Sequence, residues 1–309
     1  MEVEQLIEGL RQKDRVALSR AITIIENETD NYRDLLEFAY RNKRDSYRIG
    51  VTGPPGAGKS TLVSSLARRF SEKSDVAVVV VDPTSPFTGG ALLGDRVRMS
   101  GLTENPKIFI RSMASRGSLG GLAQTTGNVL TIFEAFGCDY IIVETIGVGQ
   151  VEIDVAKSCD TIILILVPES GDGVQVMKAG LLEISDIIVV NKADREGADA
   201  LLRELSVLVG QNQRGWSIPV LKTIATREAG VDELITAIDQ HHQYLIASGD
   251  LKNKSKERIR ETIQSLIESK IRYEFQKKLS SEELSKLVDK VYHQKISPFK
   301  AVEDILSRG

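Results

Sequence analysis

One octapeptide, Gly53-Pro54-Pro55-Gly56-Ala57-Gly58-Lys59-Ser60, restricts the fold of this chain more than any other feature. It follows a short apolar run at 49–52 and precedes an apolar pattern of helical spacing at 62–70. A strand, a glycine-rich loop and a helix in that order build a cradle for phosphate. Glycines let several backbone N–H groups converge on one anion without Cβ clashes, and the helix N-terminus adds partial positive charge. The pattern assigns Lys59 to the β- and γ-phosphates of a nucleotide, Ser60 to a magnesium ion and Thr61 to the neighbourhood of the α-phosphate.

Downstream, apolar β-branched runs alternate with helical patterns. The runs lie at 76–81, 107–111, 140–143, 161–167, 187–190 and 218–223. Most are apolar at successive positions, as strands are when helices cover both faces of a parallel sheet. The expectation is an α/β chain with a doubly wound, mostly parallel sheet and ligand loops at the carboxyl ends of its strands. Three regions are predicted: an N-terminal helical extension over 1–45, the sheet domain over 46–245 and a C-terminal helical region over 246–309. In the first, Leu6 and Leu10, then Leu18, Ile22 and Ile25, recur at helical spacing. In the last, Ile259, Ile263, Leu266, Ile267, Ile271 and Phe275 form one apolar stripe. Ser280 with Glu283 reads as a capping box, and Ser297-Pro298 as the start of a further helix. Two or three helices cannot bury such stripes alone, so they call for the sheet domain or another subunit.

Three acidic residues end or follow predicted strands. Asp82 closes the run at 76–81, Glu144 closes that at 140–143, and Asp95 lies in the polar loop after Asp82. Strand ends on the phosphate-loop side are where magnesium and its waters need oxygen ligands. A helix cap, a surface charge or a turn residue is the plainer role for each. Gly147 is placed to give its N–H to a γ-phosphate, or simply to turn the chain from strand to helix. Gln150 is not adjacent to Gly147, so no water-positioning role is assigned to it.

Asn191-Lys192-Ala193-Asp194 follows the run at 187–190. A carboxylate at Asp194 can accept hydrogen bonds from the N1–H and the exocyclic amine of guanine; adenine offers neither donor. Asn191 holds the loop and approaches N7, and the Lys192 stem covers the base. Ile224-Ala225-Thr226, after the last run, stands where a backbone N–H meets the guanine O6.

Composition narrows the field further. The formal net charge of −3 gives no reason to expect a nucleic-acid or anionic-membrane partner. The two cysteines, Cys138 and Cys159, are far apart in sequence, which disfavours a disulfide framework or thiolate cluster and suits a reducing cytoplasm. The N-terminus is charged throughout and lacks a signal peptide's apolar run. The longest apolar runs are strand-length and too short to span a bilayer.

With these residues on the page, the chain resembles the methylmalonyl-CoA mutase-associated GTPases, the MeaB/ArgK/MMAA family of the SIMIBI class of P-loop GTPases. The resemblance rests on the stretches 50–61, 81–83 with 88–96, 111–121, 144–152, 171–180 and 189–194, and covers nearly the whole chain. It implies a Mg²⁺-dependent GTPase, binding GTP and GDP, that serves as chaperone of an adenosylcobalamin-dependent acyl-CoA mutase. By this likeness it gates cofactor delivery and protects or rescues the mutase, and the helical tail makes a homodimer. It places Asp82, Asp95 and Glu144 in the magnesium and switch region. It also marks 170–178 as an additional switch, with Gln175 and Lys178 as candidates for coupling or for stabilising transferred charge. One departure stands out: relatives often carry Ser-Ala where this chain has Ile224-Ala225. Backbone recognition survives that change.

Two other classes share the same core. A metallochaperone GTPase calls for Cys or His clusters; this chain has three histidines, and His241-His242 is read as a surface pair. A kinase calls for ATP, against which the guanine motif argues.

Overall fold

The computed structural model describes residues 2–82, 100–114, 119–145, 157–168, 180–210, 215–278 and 281–306. Its elements in chain order are helices α1 (Val3–Arg11), α2 (Arg15–Asn27) and α3 (Tyr32–Asn42), strand β1 (Tyr47–Thr52), α4 (Lys59–Ser71) and β2 (Val76–Asp82). Then come β3 (Ile108–Ala114), α5 (Leu119–Phe136), β4 (Tyr140–Thr145), β5 (Thr161–Leu166), α6 (Leu181–Ile184), β6 (Ile187–Val190), α7 (Ala198–Gly210) and β7 (Val220–Lys222). Helices α8 (Val231–Ser248), α9 (Asp250–Lys278), α10 (Ser281–Tyr292) and α11 (Pro298–Leu306) close the chain.

The seven strands form one sheet in the order β3-β2-β4-β1-β5-β6-β7, with every neighbouring pair parallel. The chain winds outward on one side of β1 and then on the other, so a topological switch lies at the carboxyl end of β1. That is where open α/β sheets bind ligands.

The apolar runs divide between the two faces with a period of two, as pleated strands require. In β2, Val76, Val78 and Val80 join Leu62 and Leu66 of α4 and Leu234 and Ile238 of α8 in one cluster. Ala77, Val79 and Val81 turn to the other face, where they meet Leu18, Ile22 and Ile25 of α2 and Phe133 of α5. Burial on both faces is the physical reason the run is continuously apolar. A third cluster joins Leu164 and Leu166 of β5 to Ile188 and Val190 of β6 and Leu205 of α7.

Residues 1–254 form one compact unit and residues 255–309 a second. Helices α1–α3 belong to the first. Arg15 of α2 donates to Pro106 O at 2.5 Å and Ile108 O at 2.6 Å, and Arg111 of β3 pairs with Glu26. At the amino end of β1 the buried Arg48 meets the buried Glu134 of α5 at 2.7 Å.

In the second unit, Ile259, Ile263, Leu266, Ile267 and Ile271 are exposed along α9, as are Leu284 and Val288 on α10 and Phe299 and Val302 on α11. Ser297 caps α11 by accepting from Lys300 N at 3.1 Å. The Ser280 half of the expected capping box lies outside the described residues.

Candidate functional site

The 53–60 loop leaves β1 at the switch and enters α4 at Lys59. Two of its glycines are required by their surroundings. A Cβ at Gly53, whose φ is +144°, would stand 2.1 Å from Ile165 O, and one at Gly58, at φ +90°, would stand 2.3 Å from Asn191 Nδ2. Both positions combine a left-handed backbone with close approach, which L side chains do not tolerate. Pro55 and Gly56 lie exposed at the tip, as does Thr61 in the first turn of α4. Lys59 is buried, and its Nζ donates to Gly53 O at 2.8 Å and to Pro54 O at 3.0 Å. The loop's own carbonyls thus hold the ammonium at the cradle.

Beside the loop, Ser60 Oγ donates to Glu144 Oε1 at 2.7 Å. Glu144 sits in register with Val51 near the carboxyl end of β4 and is buried. Their separation of 84 positions in sequence is closed by the β1–β4 pairing and the first turn of α4. A hydroxyl and a carboxylate side by side at a phosphate loop are hard oxygen donors of the kind a magnesium ion takes. Asp82 ends β2 next to β4. Asp95, Gly147, Gln150, Gln175 and Lys178 lie outside the described residues.

The loops after β6 and β7 converge on the same point. Asn191 follows β6 and is buried; its Nδ2 donates to Ala57 O in the phosphate loop at 2.8 Å. Its Oδ1 accepts from Thr223 Oγ1 at 3.0 Å and from Ala225 N at 3.1 Å. One amide therefore ties three loops, those after β1, β6 and β7. Thr223, which joins Asn191 in this network, is not singled out by the sequence. Lys192 has φ +56°, and Asp194, two positions on, is exposed. Ile224 N donates to Ala229 O at 2.9 Å, which turns the chain so that Ala225 and Thr226 form a short 3₁₀ turn beside Asn191.

The surface reading of His241-His242 is overturned. His241 is 1% exposed. It shares the buried stripe of α8 with Leu234, Ile238 and Leu245, spaced by four, three and four residues, so helical periodicity carries the signal. Its Nδ1 meets Thr161 Oγ1 at 2.7 Å, and burial is the main reason its pKa falls from 6.5 to about 4. His242 is half-buried and stacks on Tyr47 with ring centroids 3.9 Å apart. Among the described residues, no group of three His, Cys, Asp or Glu side chains could hold a metal ion, and no helix is long and apolar enough to cross a membrane.

Comparison with known proteins agrees with this geometry. The family model described as "Methylmalonyl Co-A mutase-associated GTPase MeaB" matches residues 18–280. A Pyrococcus abyssi protein named as a GTPase is 44% identical over 98% of this chain and 96% of its own length. The mitochondrial "Methylmalonic aciduria type A homolog" of Caenorhabditis elegans is 32% identical over 98% of this chain and 82% of its own. GTPase ArgK of Escherichia coli is 37% identical over 80% of this chain and 78% of its own. A solved structure titled as an LAO/AO transport system kinase superposes with a TM-score of 0.74 at 27% identity, covering 99% of this chain and 98% of that one. With the phosphate loop, its Ser60–Glu144 pair and the Asn191 tie in one place, the chain belongs to the methylmalonyl-CoA mutase-associated GTPase (MeaB) family.

Proposed function

We propose that this chain binds GTP in the presence of Mg²⁺, hydrolyses it to GDP and phosphate, and uses the cycle to serve an adenosylcobalamin-dependent acyl-CoA mutase. One observation carries the nucleotide part: Asn191 bonds the phosphate loop and the base-side loops to one another, so both ends of a single nucleotide meet one rigid frame. Asp194 reads guanine by accepting from N1–H and the exocyclic amine, and the 224–226 turn offers its backbone to O6. The N–H groups of 53–61 enclose the β-phosphate.

Hydrolysis is in-line attack of water on the γ-phosphate. Lys59 sits at the cradle to offset charge that builds on the phosphoryl oxygens. The donor set fits magnesium: Ser60 and Glu144 would hold the ion, with Asp82 and Asp95 completing the shell directly or through water. When bound, the ion neutralises charge shared by the β- and γ-phosphates. Gly147 and Lys178 are assigned to the γ-phosphate and to a switch that answers the partner.

Family membership supports methylmalonyl-CoA mutase as the partner. The chain's part is to gate cofactor delivery and to protect or reactivate that enzyme. The exposed apolar faces of α9–α11 support a homodimer formed through the 246–309 region. The composition suits the cytoplasm.

The test is equilibrium binding of a fluorescent GDP analogue with magnesium, competed by GTP and by ATP. GTP should displace it and ATP should not, at up to 100-fold excess by the size of hydrogen-bond discrimination. The variant Asp194→Asn should lose guanine and gain xanthine nucleotides, whose C2 carbonyl matches an amide donor. Equal competition by ATP would point instead to the kinase reading that the solved relative's title raises. Pull-down of the mutase with a GTP analogue present tests the partner.

A further inference from the structure

A second site lies at the opposite end of the sheet. Ser185 and Asp186 precede β6 and Ile218 precedes β7, so these residues mark the amino ends of the strands, whereas the phosphate loop leaves a carboxyl end. With a rise of roughly 3.3 Å per residue, strands of this length separate the two ends by about 15 Å. Between these residues and the facing parts of α8 and α9 is a cavity of about 250 Å³. One ordered water needs only about 10–15 Å³ of such space, so the cavity has room for a small organic molecule.

The walls say which kind. Trp216 and Tyr244 supply aromatic surface, with ring centroids 5.3 Å apart, and the Trp216 ring is fixed by Nε1 donating to Asp186 O at 2.8 Å. Asp186 and Asp250 supply two carboxylates. Among the described residues that line it, Lys254 is the one ammonium, and it donates to Asp160 O at 2.6 Å while standing 3.8 Å from Asp186 Oδ2. Asp186 Oδ2 itself accepts from Ile162 N at 2.8 Å, which fixes the carboxylate's position. His241 completes the aromatic wall 4.8 Å from Trp216, with Nε2 3.5 Å from Asp186 Oδ1, and burial keeps it neutral. Among the described lining residues Lys254 offsets Asp186, and the Asp250 carboxylate beside the aromatic surface leaves a negative balance, which favours a cation over an anion or a neutral molecule.

We propose that this cavity binds a small organic cation, an ammonium or guanidinium carried on a flat or apolar body, with the charge toward Asp250 and the body against Trp216 and Tyr244. It is a binding site rather than a second reaction centre. The succession Thr161, His241, Asp186 has the order of a nucleophile, a base and its carboxylate. Thr161, however, is fully buried within β5 and does not line the cavity, so no substrate reaches its hydroxyl.

The chain's single tryptophan makes the test direct, because Trp216 forms the wall. Benzylammonium, benzyl alcohol and benzoate share a ring and differ in charge. Titrated into the full chain, benzylammonium should change Trp216 emission saturably, at least about tenfold more tightly than the alcohol, with no saturable response to benzoate. Asp250→Asn should weaken the cation by about threefold, the scale of a partly exposed charge, and leave the alcohol unchanged. Ile218→Phe should abolish the response by filling the cavity. Retention of the fluorescent GDP analogue by both variants reports that they are folded. If the wild-type chain gives no saturable response to benzylammonium up to ~10 mM, or binds the alcohol equally well, the proposal is overturned. Since the nucleotide site lies at the other end of the sheet, either result leaves its own test untouched.

Discussion

Replacing Asn191 by alanine should uncouple the phosphate loop from the base-side loops. The side chain is buried and makes three hydrogen bonds, to Ala57 O, Thr223 Oγ1 and Ala225 N. Each typical bond is worth about 1 kcal/mol net, and a buried group stripped of its partner costs about 1–3 kcal/mol. The three orphans therefore set an upper bound of roughly 9 kcal/mol. The space vacated by the amide can take a water that serves some of these groups, so the loss in the free protein falls near the bottom of that range, about 2–3 kcal/mol. Nucleotide binding closes the site to water and demands the braced geometry, so a loss of similar size appears in affinity, roughly 30- to 150-fold. The assay is titration of a fluorescent GDP analogue, paired with urea unfolding of the free chain. Thr223→Val removes one bond and should cost about 1 kcal/mol. The double variant should then cost less than the sum, because both changes act on one network. If Asn191→Ala bound GDP within threefold of the parent with an unchanged unfolding midpoint, the brace would have no energetic role and the argument for one rigid frame would fail.

Three further outcomes follow from the same geometry. Gly58→Ala puts a Cβ 2.3 Å from Asn191 Nδ2 at a left-handed φ; GDP affinity should drop about 100-fold or more while circular dichroism stays that of the parent. His241 has its pKa lowered from 6.5 to about 4, so between those values the unfolded chain binds more protons than the folded one. Its contribution is thus present above pH 6.5 and lost as pH falls toward 4, by at most about 3 kcal/mol; His241→Gln should flatten the dependence of urea midpoints between pH 7 and 4.5. Glu134→Ala strips the buried Arg48 of its carboxylate and should cost about 3–5 kcal/mol in unfolding experiments; a loss below about 1 kcal/mol refutes the pair's role.

Much of this was readable from local pattern. The seven runs of β-branched residues correspond to the seven strands, with ends shifted by a few residues. The run predicted at 107–111 begins at Ile108 and continues to Ala114, and that predicted at 218–223 contracts to Val220–Lys222. Boundaries move because a strand ends where its neighbour stops pairing, which no single run records. Lys59, Ser60, Asn191 and Asp194 stand out in the sequence because a phosphate loop and a guanine motif prescribe residue types next to a strand end, and the structure places all four after β1 and β6. Asp95, Gly147 and Lys178 came from motif and resemblance and lie outside the described residues.

What the amino-acid order determined by itself was therefore periodicity, the left-handed glycines of the phosphate loop and the residue types that chemistry requires there. Tertiary structure alone decided the pairings across distance: Ser60 with Glu144, Asn191 with Ala57, Arg48 with Glu134, and Arg15 with the strand entry at Ile108. It also turned His241 inward, where the helical stripe and Thr161 meet. The reason is physical. Backbone preference and hydrophobic period act over a few residues, whereas partners 84 or 134 positions apart meet only once strand order and register have brought separate loops to the same edge of the sheet.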